Sequence, residues 1–456
     1  MSVSDKLPIV LLHGYSAEAD SLERWREVLL EHGYDATAVH LGEYISLTNE
    51  ITIKDIAEGF DRALRVRAGL SEDEPFDAIV HSTGGLVIRE WLTTYARRSR
   101  RLKRLIALAP ATFGSPLAHK GRGWLGAVFK GERQLGPDFM EAGDLVLSGL
   151  ELGSRYSWDL AHRDLLADPA AYDESPASPF PFVFIGTGGY GLLRRLLADE
   201  PGADGTVRWA GAGFNTRKIV VDLTRPPTGE SRADAVAPWR NVHVPLVLLP
   251  DVNHGTIVGD PPDELVTMVM EALAVGDFDA YRAWTERYST MAGGRLAKVG
   301  EDRWQQFVVR AVDERGDPVP DYYVEVVSQE DGAFQILEDF SLDVHAYAED
   351  PSMRCFHVNL RKLDPGARTS LALALTAPSG TELIAYRGES SERFTSAGVL
   401  QDHPEWDAII DLTSLLSNSE VKFFYPYTTT LVEIQLNREP MPAPGVSAVL
   451  RFVDEQ

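Results

Sequence analysis

The sequence lacks several features that would point to particular classes of protein. It has a single cysteine, Cys355, so no intramolecular disulfide and no cysteine-based metal cluster can form. No uninterrupted apolar run reaches the roughly 18 residues of a membrane-spanning helix. The N-terminus has no basic segment followed by a long apolar stretch, so we expect no signal peptide and a cytoplasmic protein.

Positive charge is also scarce. Lysine and arginine number 44 against 68 aspartate and glutamate residues, which gives a formal net charge of -24. Such a surface repels phosphate backbones and anionic membranes. The composition therefore argues against a nucleic-acid-binding protein.

The 456 residues, 44% of them hydrophobic, suit two or three domains with substantial cores. In the first part of the chain, short apolar runs alternate with helical patterns, which is typical of parallel strands joined by helices. The strand candidates there are Ile9–Leu12, Ala36–His40, Ala78–His81, Leu105–Leu108, Phe182–Ile185, Ile219–Leu223 and Leu246–Leu249. A sheet of about six strands is expected.

Two segments depart from this alternation. Residues 115–181 form a mostly helical insertion in which Trp124 and Phe129 are candidate substrate-binding residues. Beyond Trp304, short alternating strands separated by turn residues predict a β-sandwich. We therefore predict an α/β domain at 1–295 and an all-β accessory domain at 296–456.

Ser82 is the candidate nucleophile. It lies between the strand pattern ending at His81 and the helical pattern starting at Leu86, in Val80-His-Ser-Thr-Gly84. A strained strand-to-helix turn of the G-x-S-x-G type exposes a serine to attack a carbonyl carbon. Val80 replaces the first glycine of that motif. The identification of the turn therefore depends on the strand and the helix that flank it.

A second motif follows the first strand, in Pro8-Ile-Val-Leu-Leu-His-Gly-Tyr15. With it, the chain resembles the lipase and esterase branch of the α/β-hydrolase superfamily over residues 5 to 275. The resemblance implies an α/β-hydrolase fold with a mostly parallel, doubly wound sheet and a helical cap or lid at 115–181. It also implies an oxyanion hole formed by the backbone N–H groups of Tyr15 and Thr83.

The acid and the base follow the serine in the order of this superfamily. Asp204, in Ala203-Asp-Gly-Thr-Val207, is similar to the segment that carries the acid in many lipases. The alternatives are Asp199, Glu200 and Asp222, of which Asp222 ends a strand pattern. His254 follows the last strand and is the candidate base, with Gly255 allowing a close approach. His81 adjoins the serine but is expected to point away from it, because neighbouring strand residues face opposite sides.

These residues predict a serine carboxylic-ester hydrolase that forms an acyl-enzyme on Ser82. A phospholipase, acyltransferase, thioesterase or amidase would use the same three residues, and an inactive scaffold is the non-enzymatic alternative. The partners expected are an acyl-ester or lipid substrate and, through the C-terminal domain, a second copy of the chain. No cofactor and no metal site is implied.

Overall fold

The computed structural model describes most of the chain in segments. They are residues 6–13, 22–39, 51–95, 101–118, 144–168, 171–173, 175, 178–189, 200–224, 233–235, 243–290, 301–330, 333–336, 342–347, 349–362, 372–379, 384–387, 407–411 and 423–440. Tyr15, Trp124, Phe129 and Asp199 lie outside these residues. None of the described helices is long and apolar enough to cross a membrane.

The chain divides into two compact units, and neither is contiguous in sequence. The first comprises Met1–Thr216, Arg240–Trp304 and Pro426–Thr429; the second comprises Arg217–Trp239, Gln305–Tyr425 and Thr430–Gln456. The predicted division at residue 295, as a statement about independently folding domains, stays a prediction.

A six-stranded parallel sheet forms the centre of the first unit, as expected. Its strands, in spatial order, are β2 (Ala36–Val39), β1 (Ile9–Leu12), β3 (Phe76–His81), β4 (Leu102–Leu108), β5 (Phe180–Gly186) and β8 (Leu246–Leu249). β1 and β8 are continuous apolar tetrapeptides that are wholly buried, as strands covered on both faces must be.

Helices alternate with these strands. They are α1 (Glu23–Glu31), α2 (Ile53–Val66), α3 (Gly84–Thr94), α4 (Asp144–Leu150), α5 (Arg155–Arg163), α6 (Trp209–Ala212), α7 (Thr256–Gly259), α8 (Asp263–Leu273) and α9 (Phe278–Tyr288). α2 begins where Thr52 and Asp55 satisfy each other's backbone N–H groups in a capping box. α4 and α5 lie in the predicted insertion, whose described part is helical as expected.

The strand predicted at Ile219–Leu223 forms, but its predicted place in the parallel sheet is wrong. It is β6 (Thr216–Asp222), and it belongs to the sheet of the second unit. Its buried residues alternate with partly exposed ones. A strand covered on one face has this pattern, whereas β1, β3 and β8 of the parallel sheet are buried along their whole length.

Two sheets build the second unit. One has β11 (Ala333–Ile336), β10 (Tyr323–Glu330), β14 (Ala372–Thr376) and β16 (Asp407–Asp411) in antiparallel order. The other runs β12 (Leu342–Ala346), β13 (Met353–Asn359), β9 (Trp304–Asp313), β17 (Thr429–Pro440), β6 and β7 (Ala233–Ala235), with β15 (Ile384–Arg387) paired to β17. A 3₁₀ helix spans Leu360–Lys362.

Residues of both sheets share one apolar core. Val309 of β9 and Leu375 of β14 belong to the same buried cluster, together with Ile434 of β17. Two sheets that enclose a common core are a β-sandwich, so the β-rich fold expected for the C-terminal region is confirmed.

Candidate active site

Ser82 occupies a tight turn between β3 and α3. Its φ of 54° lies in the left-handed region, which costs free energy for a residue with a Cβ. Two contacts hold this conformation: Ser82 N–H donates to Leu108 O at 3.1 Å, and Ser82 O accepts from Ala111 N–H at 3.1 Å. The strain is therefore maintained by β4 and by the segment that follows it.

The glycines after Ser82 allow other backbone segments to come close. A Cβ on Gly84 would lie 2.7 Å from Leu12 O, and one on Gly85 would lie 2.7 Å from Cβ of Pro110. Val80, which replaces the usual glycine before the serine, is fully buried in β3 between Leu12 of β1 and Ala107 of β4. The strand-turn-helix arrangement thus forms with valine at this position.

His254 lies on the loop between β8 and α7 and contacts Ser82. Its Nε2 is 3.1 Å from Ser82 Oγ, and its Nδ1 is 2.8 Å from Oδ2 of Asp204. Because a carboxylate only accepts, we assign the imidazole proton to Nδ1, which leaves Nε2 free to accept the hydroxyl proton of Ser82. All three side chains are almost completely buried.

Asp204 is fixed by the backbone around it. Its Oδ1 accepts from the N–H groups of Thr206 and Val207 at 2.9 and 2.8 Å, which leaves Oδ2 directed at His254. The alternative acid, Asp222, ends β6, where its Oδ1 accepts from N–H and Oγ1 of Thr224. The carboxylate beside His254 therefore belongs to Asp204.

Solved structures of one other protein have a similar chain fold over nearly the whole length of this chain. Phospholipase PlaB from Legionella pneumophila is 22% identical, with 97% of each chain covered and a TM-score of 0.74. The complex of that phospholipase with thio-NAD is also 22% identical, with 94% of each chain covered and a TM-score of 0.71. No protein-family model and no curated protein matches the sequence.

The chain has the α/β-hydrolase fold. The six parallel strands, the serine turn between β3 and α3 and the whole-chain match agree on this. The sequence resemblance is thereby confirmed at the level of the fold.

In this α/β-hydrolase fold, the loop that carries His254 (the base loop, residues 250–256) is braced by side chains of its own. Asn253 Oδ1 accepts from the N–H groups of Gly255 and Thr256, and Asn253 N–H donates to Thr256 Oγ1. The expectation that Gly255 permits a close approach is wrong, because a Cβ there would meet nothing nearer than 3.6 Å. The close approach is at Gly186, where a Cβ would overlap Val252 O.

The acid loop is held by residues far away in sequence. Ser115 Oγ donates to Thr206 O at 2.6 Å, and Thr429 Oγ1 donates to Ala210 O at 2.9 Å. The indole of Trp304 lies against Gly202, where a Cβ would come within 2.5 Å of the ring. These three residues all belong to the first unit.

Of the described helices in the insertion, α5 is tied to α3, the helix that follows Ser82. Arg89 of α3 makes a two-point ion pair with Asp164, with N–O distances of 2.7 and 3.0 Å and no exposure of either side chain. The neighbouring residue, Glu90, pairs with Arg163 and accepts from the hydroxyl of Tyr156. The candidate substrate-binding residues Trp124 and Phe129 lie outside the described residues, so their role stays a prediction.

Thr83, the candidate oxyanion donor, lies at the start of the helix that follows Ser82. It precedes the first residue of α3, and none of the backbone hydrogen bonds recorded among the described residues uses its N–H. The N–H groups at a helix start point outward and favour negative charge. The second expected donor, Tyr15, lies outside the described residues.

His81 is a site residue whose role the sequence analysis missed. Its Nε2 lies 3.1 Å from the backbone oxygen of His254, and the two imidazole centroids are 4.6 Å apart. Strand alternation indicates that His81 points away from Ser82, but it does not indicate a contact with a residue 173 positions away. Thus His81 contacts His254, the candidate base.

Proposed function

We propose that this protein is a serine carboxylic-ester hydrolase, of lipase or esterase type, that forms an acyl-enzyme on Ser82. One observation carries the proposal: an unbroken hydrogen-bond chain from Asp204 through His254 to Ser82 Oγ. A nucleophile, its base and the carboxylate that orients the base are what ester hydrolysis by serine requires.

Acylation begins when His254 Nε2 takes the hydroxyl proton as Ser82 Oγ bonds to the carbonyl carbon of the ester. Asp204 holds the imidazole in the correct tautomer and stabilises its cationic form. The carbonyl oxygen becomes an oxyanion, for which the N–H groups of Thr83 and Tyr15 are the proposed donors. Each such donor contributes about 3 kcal/mol to the transition state.

The tetrahedral intermediate then collapses to the acyl-enzyme. The bond to the alcohol oxygen breaks, and His254 gives its proton to the departing alkoxide. Deacylation repeats the steps with water: His254 takes a proton from water, the hydroxide bonds to the acyl carbon, and Ser82 Oγ leaves with that proton. A free acid and the original enzyme result, and no cofactor is needed.

A phospholipase is the second candidate, because the protein that matches over 97% of both chains is named a phospholipase. The chemistry at Ser82 is the same, and only the leaving group differs. The other uses of the three residues, as acyltransferase, thioesterase or amidase, differ from these in the acceptor or in the bond attacked.

The test is a Ser82→Ala variant beside a Ser178→Ala control. Ser178 is a partly buried serine of the first unit whose hydroxyl donates to Ala171 O. With p-nitrophenyl butyrate, phosphatidylcholine vesicles and p-nitroanilide amides as substrates, Ser82→Ala should lose kcat by about 10⁶-fold on whichever class the parent hydrolyses, as nucleophile removal does in serine hydrolases. The control should match the parent.

A fluorophosphonate probe gives a second readout. It should label the parent and the Ser178→Ala protein but not Ser82→Ala. Ester hydrolysis by Ser82→Ala at the parental rate contradicts the assignment, and a parent that hydrolyses none of the substrates and resists the probe supports the inactive-scaffold alternative. Relative rates on the ester and the vesicles separate esterase from phospholipase.

A further inference from the structure

His81 is buried beside the base, and its hydrogen bond fixes its protonation. It is 3% exposed, and its Nε2 faces the backbone oxygen of His254 at 3.1 Å. A carbonyl oxygen can only accept, so Nε2 carries the proton. The remaining nitrogen, Nδ1, is buried and has no hydrogen-bond partner among the described residues.

A second proton on His81 would therefore be costly. It would add a buried N–H with no acceptor, and it would place a charge in a group that also contains the imidazoles of His254 and His13. Burial, followed by the neighbouring His254, lowers the pKa of His81 well below its usual value. The ring is thus neutral and held in one tautomer.

The hydrogen bond from His81 gives the last polar group of His254 a partner. Its backbone N–H donates to Asp204 O at 3.1 Å, its Nδ1–H donates to the carboxylate of Asp204, and its Nε2 accepts from Ser82. The backbone oxygen is the fourth polar group, and His81 supplies its partner. With that bond, the residue is held on both sides of its Cα as well as through its ring.

We propose that His81 is a positioning residue for the base, acting through its Nε2–H bond to the carbonyl of His254 and through the contact between the two rings. The inference rests on the proposed function, since it assigns His254 the role of general base. The bond sets the direction of the loop, and the loop sets the direction in which His254 Nε2 points. Small displacements of a catalytic group reduce the rate far more than they reduce substrate binding.

The neutrality of His81 matters at the same step. His254 becomes a cation while Ser82 attacks, and a charged neighbour at 4.6 Å would oppose that change. A neutral aromatic ring beside the imidazolium adds no such repulsion. A histidine held as the neutral Nε2–H tautomer both donates to the carbonyl of His254 and brings no charge next to its ring.

Two nearly isosteric variants separate the parts of this proposal. His81→Gln places an amide N–H near the position of Nε2, whereas His81→Phe keeps a ring and removes the donor. We expect kcat on p-nitrophenyl butyrate to fall about 10- to 100-fold in His81→Phe with KM nearly unchanged, the range for a catalytic group displaced by up to about 1 Å. His81→Gln should recover to within about tenfold of the parent. Rates of fluorophosphonate labelling should follow kcat.

A control and the melting temperatures exclude a purely structural effect. His32→Gln removes an exposed histidine whose Nδ1 contacts the carbonyl of Val28, and it should match the parent. Rates are compared well below the melting temperature of every variant. Parental kcat in His81→Phe overturns the proposal, as does a fall in His81→Gln as large as that in His81→Phe. A parent that neither hydrolyses esters nor accepts the probe instead refutes the proposed function.

Discussion

The base loop and the acid loop of the site are built in different ways. The base loop, around His254, is braced by Asn253 and Thr256, which lie within two residues of it. The acid loop, around Asp204, is braced by Ser115 and Thr429, whose hydrogen bonds join residues 91 and 219 positions apart. The side chains that brace the base loop therefore come from the loop itself and from His81, whereas those that brace the acid loop all come from distant parts of the chain.

The two ways of bracing predict which substitutions should lower kcat. Close to Ser82, His254 and Asp204, a change in either loop directly alters the distances between these three side chains. Farther away in sequence, the acid loop has Ser115, Thr429 and Trp304 to lose, whereas the base loop has His81 and the close contact at Gly186. Three predictions test the comparison, ordered from the largest expected effect on kcat to the smallest.

The largest effect is expected from Asp204→Asn. An amide of the same shape leaves the packing intact but favours the wrong tautomer of His254, and in a Ser-His-Asp site this lowers kcat by about 10⁴-fold. Asp222→Asn is the matched control and should retain the parental kcat. Steady-state ester hydrolysis measures both, and the reverse outcome would assign the acid to Asp222.

Gly186→Ala should displace the base loop. The new Cβ would overlap Val252 O, so the backbone leading to His254 must shift. A displacement of about 1 Å at a catalytic group costs about 100-fold in rate. Gly255→Ala, adjacent to the base but with no atom within 3.4 Å of the added methyl group, should stay near parental kcat. Equal rates for the two variants would show that the close contact at Gly186 does not position the base.

Trp304→Ala should disturb the acid loop from outside the triad. It removes the indole that covers Gly202, and loss of a buried tryptophan costs about 3–5 kcal/mol in the free energy of unfolding. Trp284→Ala is the control, because Trp284 is equally buried but packs on Phe182 of β5. Denaturant unfolding should show similar losses in both, while kcat per folded molecule should fall several-fold in Trp304→Ala alone. A fall of the same size in Trp284→Ala would mean that the loss reflects general destabilisation.

Much of the site could be predicted because its residues stand at strand ends. Ser82 and His254 each follow a short apolar run, and runs of that kind are the clearest signal in a parallel sheet. Asp204 was harder to predict from the sequence, because no strand directly precedes it and because Asp222, at the end of β6, was an alternative acid. The sequence shows that β6 is a strand but not that it pairs in another sheet, because pairing depends on residues far along the chain.

Contacts made by tertiary packing were not predictable from local pattern. The bond between His81 and His254 and the cover of Gly202 by Trp304 join segments separated by about a hundred residues or more. Strand alternation shows which way a side chain points from its own strand but not what it meets there. The role of His81 therefore emerged only from the three-dimensional arrangement.

The ion pair between Arg89 and Asp164 limits how the insertion can move. Separating the two would leave a charge buried without its partner, at a cost of about 3–5 kcal/mol. At that cost, fewer than about one molecule in a hundred would have the pair open at any moment. In nearly all molecules α5 is then docked on α3, so a separation of these two helices would be a rare event rather than the resting state.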